Sequence, residues 1–565
     1  MNTYRISFDR KDGPCKEIAR VLKDRIEGRW DTEVRFEEPA DLKISYTQGE
    51  RFGEILRTEH GFEIRGTEAH ELWNMAGKLL RSIPTGGEFH PAPTEGNFQT
   101  ESLLCGMYFA THFHNYYCQA PMAEIRRYIE DQALWGMEVL MMWFDLHHYT
   151  GMDDPNAKEM IDRLLAIQEH IRKIGLKFSM GTLANEGFST TPDHLKGTNE
   201  IQNGYIRKLD GYYHTEICPA TEEGMTLILE NRRKMLEVFA KHKPDFFSFG
   251  PYDQGGCTCE KCAPWGSNGF LKTSKEVAKM VREILPETKI SLSTWYFGTF
   301  YKDDTEWEEL YAAFDRGELD FVDLINADFP AEYPKYPLTH SPRRPITTFP
   351  EISMYGMLPW GGYGANPMPG HILKKWKETE GITCGGTPYS EGIYEDMNKA
   401  ICLQLFRSGR DPYETVREYL CYECCIKEDL LDDGVQLIRN LENGLIRDSY
   451  TFQTAEKTVT PWHTEKIEEA EALALKIHTS LSEKEKNNPR WQVILLRAQI
   501  DGELLRGNFA ITDRFCELCG ELDKLYYSKN AIRQIRPFCK EQMPTLEKRI
   551  ARADWKPAPV LWWTE

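Results

Sequence analysis

The sequence predicts an α/β fold, a (β/α)8 barrel carrying a small N-terminal α/β domain and a helical C-terminal domain. Two observations carry this. Between residues 103 and 389, eight short apolar runs alternate with amphipathic stretches of helix length, the pattern of a parallel sheet covered by helices. And 565 residues exceed what one hydrophobic core ordinarily supports, so more than one domain is expected.

Residues 1–98 open with the strand TYRISF, followed by the helix CKEIARVLKDRI, the strands TEVRFEE, LKISYT and GFEIRG, and the amphipathic helix HELWNMAGKLLRSI. The stretch PTGGEFHPAPTEGNF collects Pro, Gly and polar residues and reads as a linker. The barrel is assigned to 99–409, with strands LLCGMYFA, EVLMMWF, LKFSMGTL, FFSFG, ISLSTWYF, FVDLINA, ITTFPEI and ITCGGTPY. Helices such as AKEMIDRLLAIQEHIRKIG and KTSKEVAKMVREILP stand between them. Eight such units fit a closed barrel better than an open sheet, and no glycine-rich dinucleotide fingerprint follows the first strand. From 410 to 565 the segments DPYETVREYLCYECC, LLDDGVQLIRNLEN, TEKIEEAEALALKIHTSL, RWQVILLRAQIDGELL and ITDRFCELCGELDKLYY keep apolar residues at i, i+3, i+4. This helical domain is expected to support the barrel without taking part in chemistry.

Composition narrows the partners. With 69 basic against 88 acidic residues, net charge −19, no concentration of positive charge offers itself to nucleic acid. No stretch reaches the roughly 18 apolar residues of a membrane span, and the N-terminus shows no secretory h-region, so a cytoplasmic protein without a membrane partner is expected. The 15 cysteines are an odd number in a long chain, and reduced thiols are the expectation. Nothing calls for a cofactor, and the sequence is compatible with a homo-oligomer.

In a parallel barrel the reactive groups sit at the C-terminal ends of strands and on the loops that follow. Here those ends carry His112, His114 and Asn115; Asp145, His147 and His148; Glu186; Tyr252 and Asp253; Trp295 and Tyr296; Asp328; Glu351; and Glu391. Glycoside hydrolysis needs one carboxylic acid to protonate the leaving oxygen and a second, ionised carboxylate to activate water, attack, or stabilise positive charge. Asp253, Glu351 and Glu391 are the candidates for that chemistry. The substrate-holding set is His112, His114, Asn115, Asp145, His147, Glu186, Tyr252, Trp295, Tyr296, Asp328 and Trp360, since indoles and phenols stack on the apolar faces of sugars and the polar groups bond their hydroxyls. The H-x-H pair His112/His114 also fits a divalent metal, and a metal-dependent amidohydrolase or deacetylase is the alternative. A barrel that binds sugar without turnover is a second.

The segment FGPYDQGGCTCEKCAPW places Cys257, Cys259 and Cys262 in a C-x-C-x-x-C arrangement. Three thiols within six residues supply three of the four ligands of a structural Zn²⁺. No fourth ligand stands beside them, and the expectation is reduced loop cysteines packed beneath the site, with no metal.

With GFEIRGTEAHELWNMAGKLLRSI, YIEDQALWGMEVLMMWFD and GPYDQGGCTCEKC, the chain resembles the α-glucuronidase-like and β-N-acetylhexosaminidase-like glycoside hydrolases. The resemblance implies a barrel glycosidase acting on a terminal sugar of short oligosaccharides. It implies a general acid after the fourth strand, which maps onto Asp253, and further acids on late strands, which map onto Glu351 and Glu391. Asp253 is followed by Gln254 and two glycines rather than a second acid, which departs from the substrate-assisted hexosaminidases. It is also Asp where α-glucuronidases use Glu, which leaves Glu391 as the alternative donor.

Overall fold

The computed structural model describes residues 2–9, 13–98, 100, 102–111, 115–206, 215–252, 256–301, 304–327, 334–350, 352, 365–444, 448–450, 457–459, 464–507 and 512–532. The N-terminal part is a six-stranded sheet built from β1 (Asn2–Phe8), β2 (Thr32–Arg35), β3 (Leu42–Tyr46), β4 (Gly53–Arg57), β5 (Phe62–Gly66) and β6 (Gly96–Asn97), in the order β2-β1-β3-β5-β4-β6. β4 runs antiparallel to β5 and β6 while the remaining pairs are parallel. The sequence pattern does not single out β4: its GEILR is short and carries two charges, so its alternation is weak. Helix Pro14–Arg29 starts with proline at its first turn, where the missing N–H costs nothing, and buries Ile18, Val21, Leu22 and Ile26. Helix Ala69–Leu80 is buried almost all round because it lies between this sheet and the barrel. Trp73 Nε1 donates to Ile174 O at 2.9 Å, and Glu71 accepts from Arg407 Nη1 at 2.8 Å.

The eight expected runs form the eight barrel strands: β7 (Leu104–Phe109), β8 (Val139–Trp143), β9 (Lys177–Leu183), β10 (Phe246–Gly250), β11 (Lys289–Ser293), β12 (Leu324–Asn326), β13 (Ile346–Thr348) and β14 (Thr383–Gly386). Each pairs in parallel with the next, and β14 returns to β7, so the sheet has no edge. Closure depends on two glycines. A Cβ on Gly385, whose φ is +104°, would lie 1.9 Å from Leu104 O, and one on Gly386 would lie 2.4 Å from Thr348 O. Beyond them β15 (Tyr389–Ser390) continues the last strand and pairs Tyr389 with Tyr108 and Ser390 with Phe109.

Inside, Leu104, Val139 and Leu324 fill the end where strands begin, and Tyr108, Ala110, Met141, Trp143, Leu183 and Tyr389 fill the end where they finish. The barrel is therefore a packed core with its reactive mouth above the second layer. Beyond residue 410 the described residues include the helices Pro412–Tyr422, Leu431–Gly444, Thr464–Ser480, Pro489–Arg506 and Asp513–Tyr526, where the apolar spacing placed them, and the single turn Glu483–Lys486. Arg490 ties this region to the barrel, donating to Asp396 Oδ2 at 2.6 Å and to Asp131 Oδ2 at 3.0 Å. Among the described residues no helix is long and apolar enough to cross a membrane.

Candidate active site

Because all eight strands run the same way, their final residues meet at one mouth, and what they present there is aromatic. The Tyr108 and Trp143 rings stack with centroids 6.0 Å apart, Tyr389 meets Tyr108 edge-on at 5.2 Å, and Phe349 lies 5.3 Å from Tyr108. Trp295 stands 5.6 Å from Phe349, extending the floor across β11 and β13. Trp295 is only half-buried. Tyr296 beside it adopts φ 64°, a left-handed conformation that a bulky residue holds only where its surroundings impose it. Its buried ring packs on Phe300 at 5.2 Å.

Glu391 follows β15 at once and is fully buried. Tyr389 donates to its Oε1 at 2.6 Å, and Tyr526, from helix Asp513–Tyr526, donates to Oε2 at 3.4 Å. Both carboxyl oxygens therefore accept from a phenol. The helical domain, expected only to support, thus places a hydroxyl on a candidate catalytic group. The turn that carries Glu391 is held from below. Ser390 Oγ lies 2.6 Å from Tyr117 Oη and donates to Glu395 Oε2 at 3.2 Å, while the buried Lys399 donates to Gly392 O at 2.6 Å and to Tyr117 Oη at 2.8 Å. Burial pushes the Lys399 ammonium down to about 8 even with Glu395 and Asp396 close by.

A second cluster joins β8 and β9. His147 Nδ1 lies 2.5 Å from Glu186 Oε1, and Asp145 Oδ2 lies 3.9 Å from His147 Nδ1 and 3.6 Å from His148 Nε2. Asp145, His147 and His148 are near enough to share a divalent ion. Beneath them sits Arg232, wholly buried, donating to Glu186 O at 3.0 Å and to Leu183 O. Its burial draws the guanidinium down to about 10 against the pull of Glu186 and Asp145. Sequence reasoning alone does not pick out Arg232. The signal exists in the helical spacing Ile228, Arg232, Met235, Leu236, Phe239, which puts the arginine on the buried stripe of helix Glu222–Phe239.

Two expected sugar contacts are engaged within the protein. Asn115 is buried and caps the short helix Tyr116–Gln119, accepting from Tyr117 N at 3.1 Å and donating to Ala110 O at 2.8 Å. Tyr252 is buried too, with its hydroxyl donated to Glu306. Glu306 also accepts from Gly266 N at 2.8 Å and Gly298 N at 2.9 Å, which ties the loops after β10 and β11 to one carboxyl. Burial pushes that carboxyl up from 4.5 to about 7, outweighing the hydrogen bonds that pull it down. The folded state therefore holds this proton more tightly than the unfolded chain. The resulting stability is complete below pH 4.5 and lost as pH rises through about 7. Relative to Glu306→Gln, the native protein is expected to lose up to about 3 kcal/mol between those limits. Urea unfolding across pH 4 to 8 measures this, and parallel curves for the two proteins would refute it. His112, His114, Asp253, Asp328, Glu351 and Trp360 lie outside the described residues.

No known protein-family profile matches the chain, and no curated protein sequence matches it. Solved structures do match. A family 115 4-O-methyl-α-glucuronidase with specificity for decorated arabinogalactans shares 8% identity over 99% of this chain and 80% of its own, with a TM-score of 0.62. A family 89 glycoside hydrolase from Clostridium perfringens, solved with its substrate GlcNAc-α-1,4-galactose, shares 10% identity over 90% of this chain, with a TM-score of 0.57. The fold is that of these glycoside hydrolases. A GH138 enzyme targeting pectin rhamnogalacturonan II has the same architecture at TM-score 0.54, 11% identity, over 94% of this chain and 74% of its own. This chain spans 64% of the length of the Clostridium perfringens enzyme. The anticipated likeness to α-glucuronidases holds in the fold, from the N-terminal sheet through the barrel to the C-terminal helices.

Proposed function

We propose that the protein is a glycoside hydrolase that removes a terminal sugar from short oligosaccharides. The observation that carries this is a carboxylate, Glu391, held by two phenols beside an aromatic floor at the mouth of a barrel of glycosidase fold. In this reading Glu391 acts in its ionised form, as base or nucleophile, and Asp253 hands the proton to the leaving oxygen. The strand order supports that division, because β10, which precedes Asp253, stands four strands from β14 and its extension β15. Glu351, next to Glu391 in strand order, is the alternative for the ionised role. Trp143 and Trp295 stack on the sugar, and Asp145, His147 and His148 bond its hydroxyls, with His147 fixed in orientation by Glu186.

Aryl α-glucuronides and α-N-acetylglucosaminides open the substrate panel, since two enzymes of this fold act on α-linked sugars of those kinds. Turnover of at least one aryl glycoside is expected, abolished or strongly reduced in Asp253→Asn and in Glu391→Gln. Native-like rates in Asp253→Asn, Glu351→Gln and Glu391→Gln alike would overturn the assignment. The proximity of Asp145, His147 and His148 favours one other reading, a metal-dependent hydrolase. It requires activity to disappear when metal is chelated and to return with a divalent ion, whereas the glycosidase mechanism requires neither.

A further inference from the structure

The loop cysteines Cys257, Cys259 and Cys262 are joined in space by a fourth, Cys218, from the segment between β9 and helix Glu222–Phe239. All four Sγ atoms lie within 4.8 Å of one another. Cys218 Sγ is 3.8 Å from Cys259 Sγ and 3.9 Å from Cys262 Sγ. A disulfide needs sulfurs at about 2.05 Å, so these are not bonded pairs. A Zn²⁺ at about 2.3 Å from four sulfurs in a tetrahedron sets them about 3.8 Å apart. The observed separations are that edge length. We infer that Cys218, Cys257, Cys259 and Cys262 form a tetrahedral four-thiolate site for a structural Zn²⁺.

The surroundings are built for thiolates held on a metal. Backbone amides of Ala220 and Cys259 donate to the sulfurs of Cys218 and Cys257, two residues on in each case. Such bonds orient ligand sulfurs and disperse their charge. The C-x-x-C turn is closed by Cys262 N and Ala263 N, both donating to Cys259 O at 2.9 Å. Cys257 and Cys262 are buried while Cys218 and Cys259 are half-buried, so an ion can reach a site that solvent does not flood. A dication would take up the four thiolates as their protons leave. All four positions being filled by protein, the ion would have no open place for substrate or water, which marks it as structural. Its effect would be to staple the loop after β9 to the loop after β10, the one that runs on from Tyr252 beside the mouth.

Elemental analysis of the full-length protein, purified under reducing conditions without chelator, is expected to give about one zinc per chain. Cys218→Ser and Cys262→Ser should each fall below about a fifth of that, because three ligands hold Zn²⁺ far more weakly. Since those variants could fail to fold, the native protein is also titrated with a thiol-specific mercurial in the presence of a chromophoric zinc indicator. Release of one zinc per chain is expected as the thiols react. Co²⁺ replacement should add intense thiolate-to-metal charge-transfer absorption and the d–d bands of a tetrahedral ion. Protein that remains metal-free after incubation with equimolar Zn²⁺ and desalting overturns the inference. So do folded Cys218→Ser and Cys262→Ser proteins that keep full zinc, or the recovery of these four cysteines as two disulfides.

Discussion

Glu391→Gln is expected to lower kcat/KM on the best aryl glycoside by about 10³-fold, inside the roughly 10²–10⁴ that a positioned acid or base contributes. The amide is nearly isosteric and keeps an acceptor for Tyr389, which donates to Oε1 at 2.6 Å, so thermal stability should stay close to native. What disappears is the charge. If Glu391 is the nucleophile, Glu391→Ala opens space at the end of β15, and added azide should restore turnover by attacking the anomeric carbon itself, giving a glycosyl azide. If it is the base of a single displacement, the native enzyme itself releases the sugar with inverted configuration, whereas a nucleophile gives net retention through two displacements. The anomeric coupling constant of the native enzyme's first-formed product separates the two. Azide-insensitive rates within tenfold of native would remove Glu391 from the chemistry and return the ionised role to Glu351.

The barrel was legible because each of its strands is a run such as VLMMW or FFSFG, apolar on both faces and flanked by polar helix starts. Asp154, Thr221, Asp411 and Asn488 cap the helices they precede, a boundary signal that apolar spacing alone does not carry. The interior charges were not. Arg232, Lys399 and Arg490 sit on helices where a charged residue ordinarily marks the solvent face, and only the assembled fold shows them facing carboxylates and carbonyls. Cys218 could not be connected to Cys257 from the sequence, since the intervening helix Glu222–Phe239 and strand β10 bring them together only in three dimensions. Tyr526 escaped notice because its helix reads as a plain amphipathic support, and its hydroxyl acquires meaning from Glu391, more than a hundred positions earlier. Strand-end carboxylates are candidates on the sequence alone because barrel geometry assigns every strand end to one mouth.

Arg490→Met is expected to destabilise the protein by about 3–5 kcal/mol, the cost of stranding buried carboxylates whose counter-charge is removed. Arg490 donates to Asp396 at 2.6 Å and Asp131 at 3.0 Å and lies 3.7 Å from Glu423. Asp396 in turn accepts from Tyr128 at 2.6 Å, Gln132 at 3.0 Å and Tyr419 at 2.7 Å, so the arginine neutralises a junction among barrel and C-terminal helices rather than one pair. Burial alone would raise the Asp396 carboxyl; Arg490 and Lys399 overcome it and hold it below its usual 3.8. A depressed carboxyl stabilises above its unfolded pKa and loses that contribution as pH falls through the folded one. The gap between native and Arg490→Met should therefore be full at pH 7 and narrow below about pH 4, which urea unfolding at both values measures. Asp396→Asn combined with Arg490→Met should cost less than the sum of the single changes, because each removes a charge the other requires. Additive losses, or a gap unchanged by acid, would show that Arg490 acts through packing alone. The consequence reaches the mouth: Arg490 anchors helix Pro489–Arg506, against which helix Asp513–Tyr526 packs. The latter helix is held to the last barrel turn by Tyr394 Oη donating to Leu522 O at 2.8 Å. Loosening the anchor withdraws Tyr526 from Glu391, so Arg490→Met should lose activity at temperatures where the barrel is still folded.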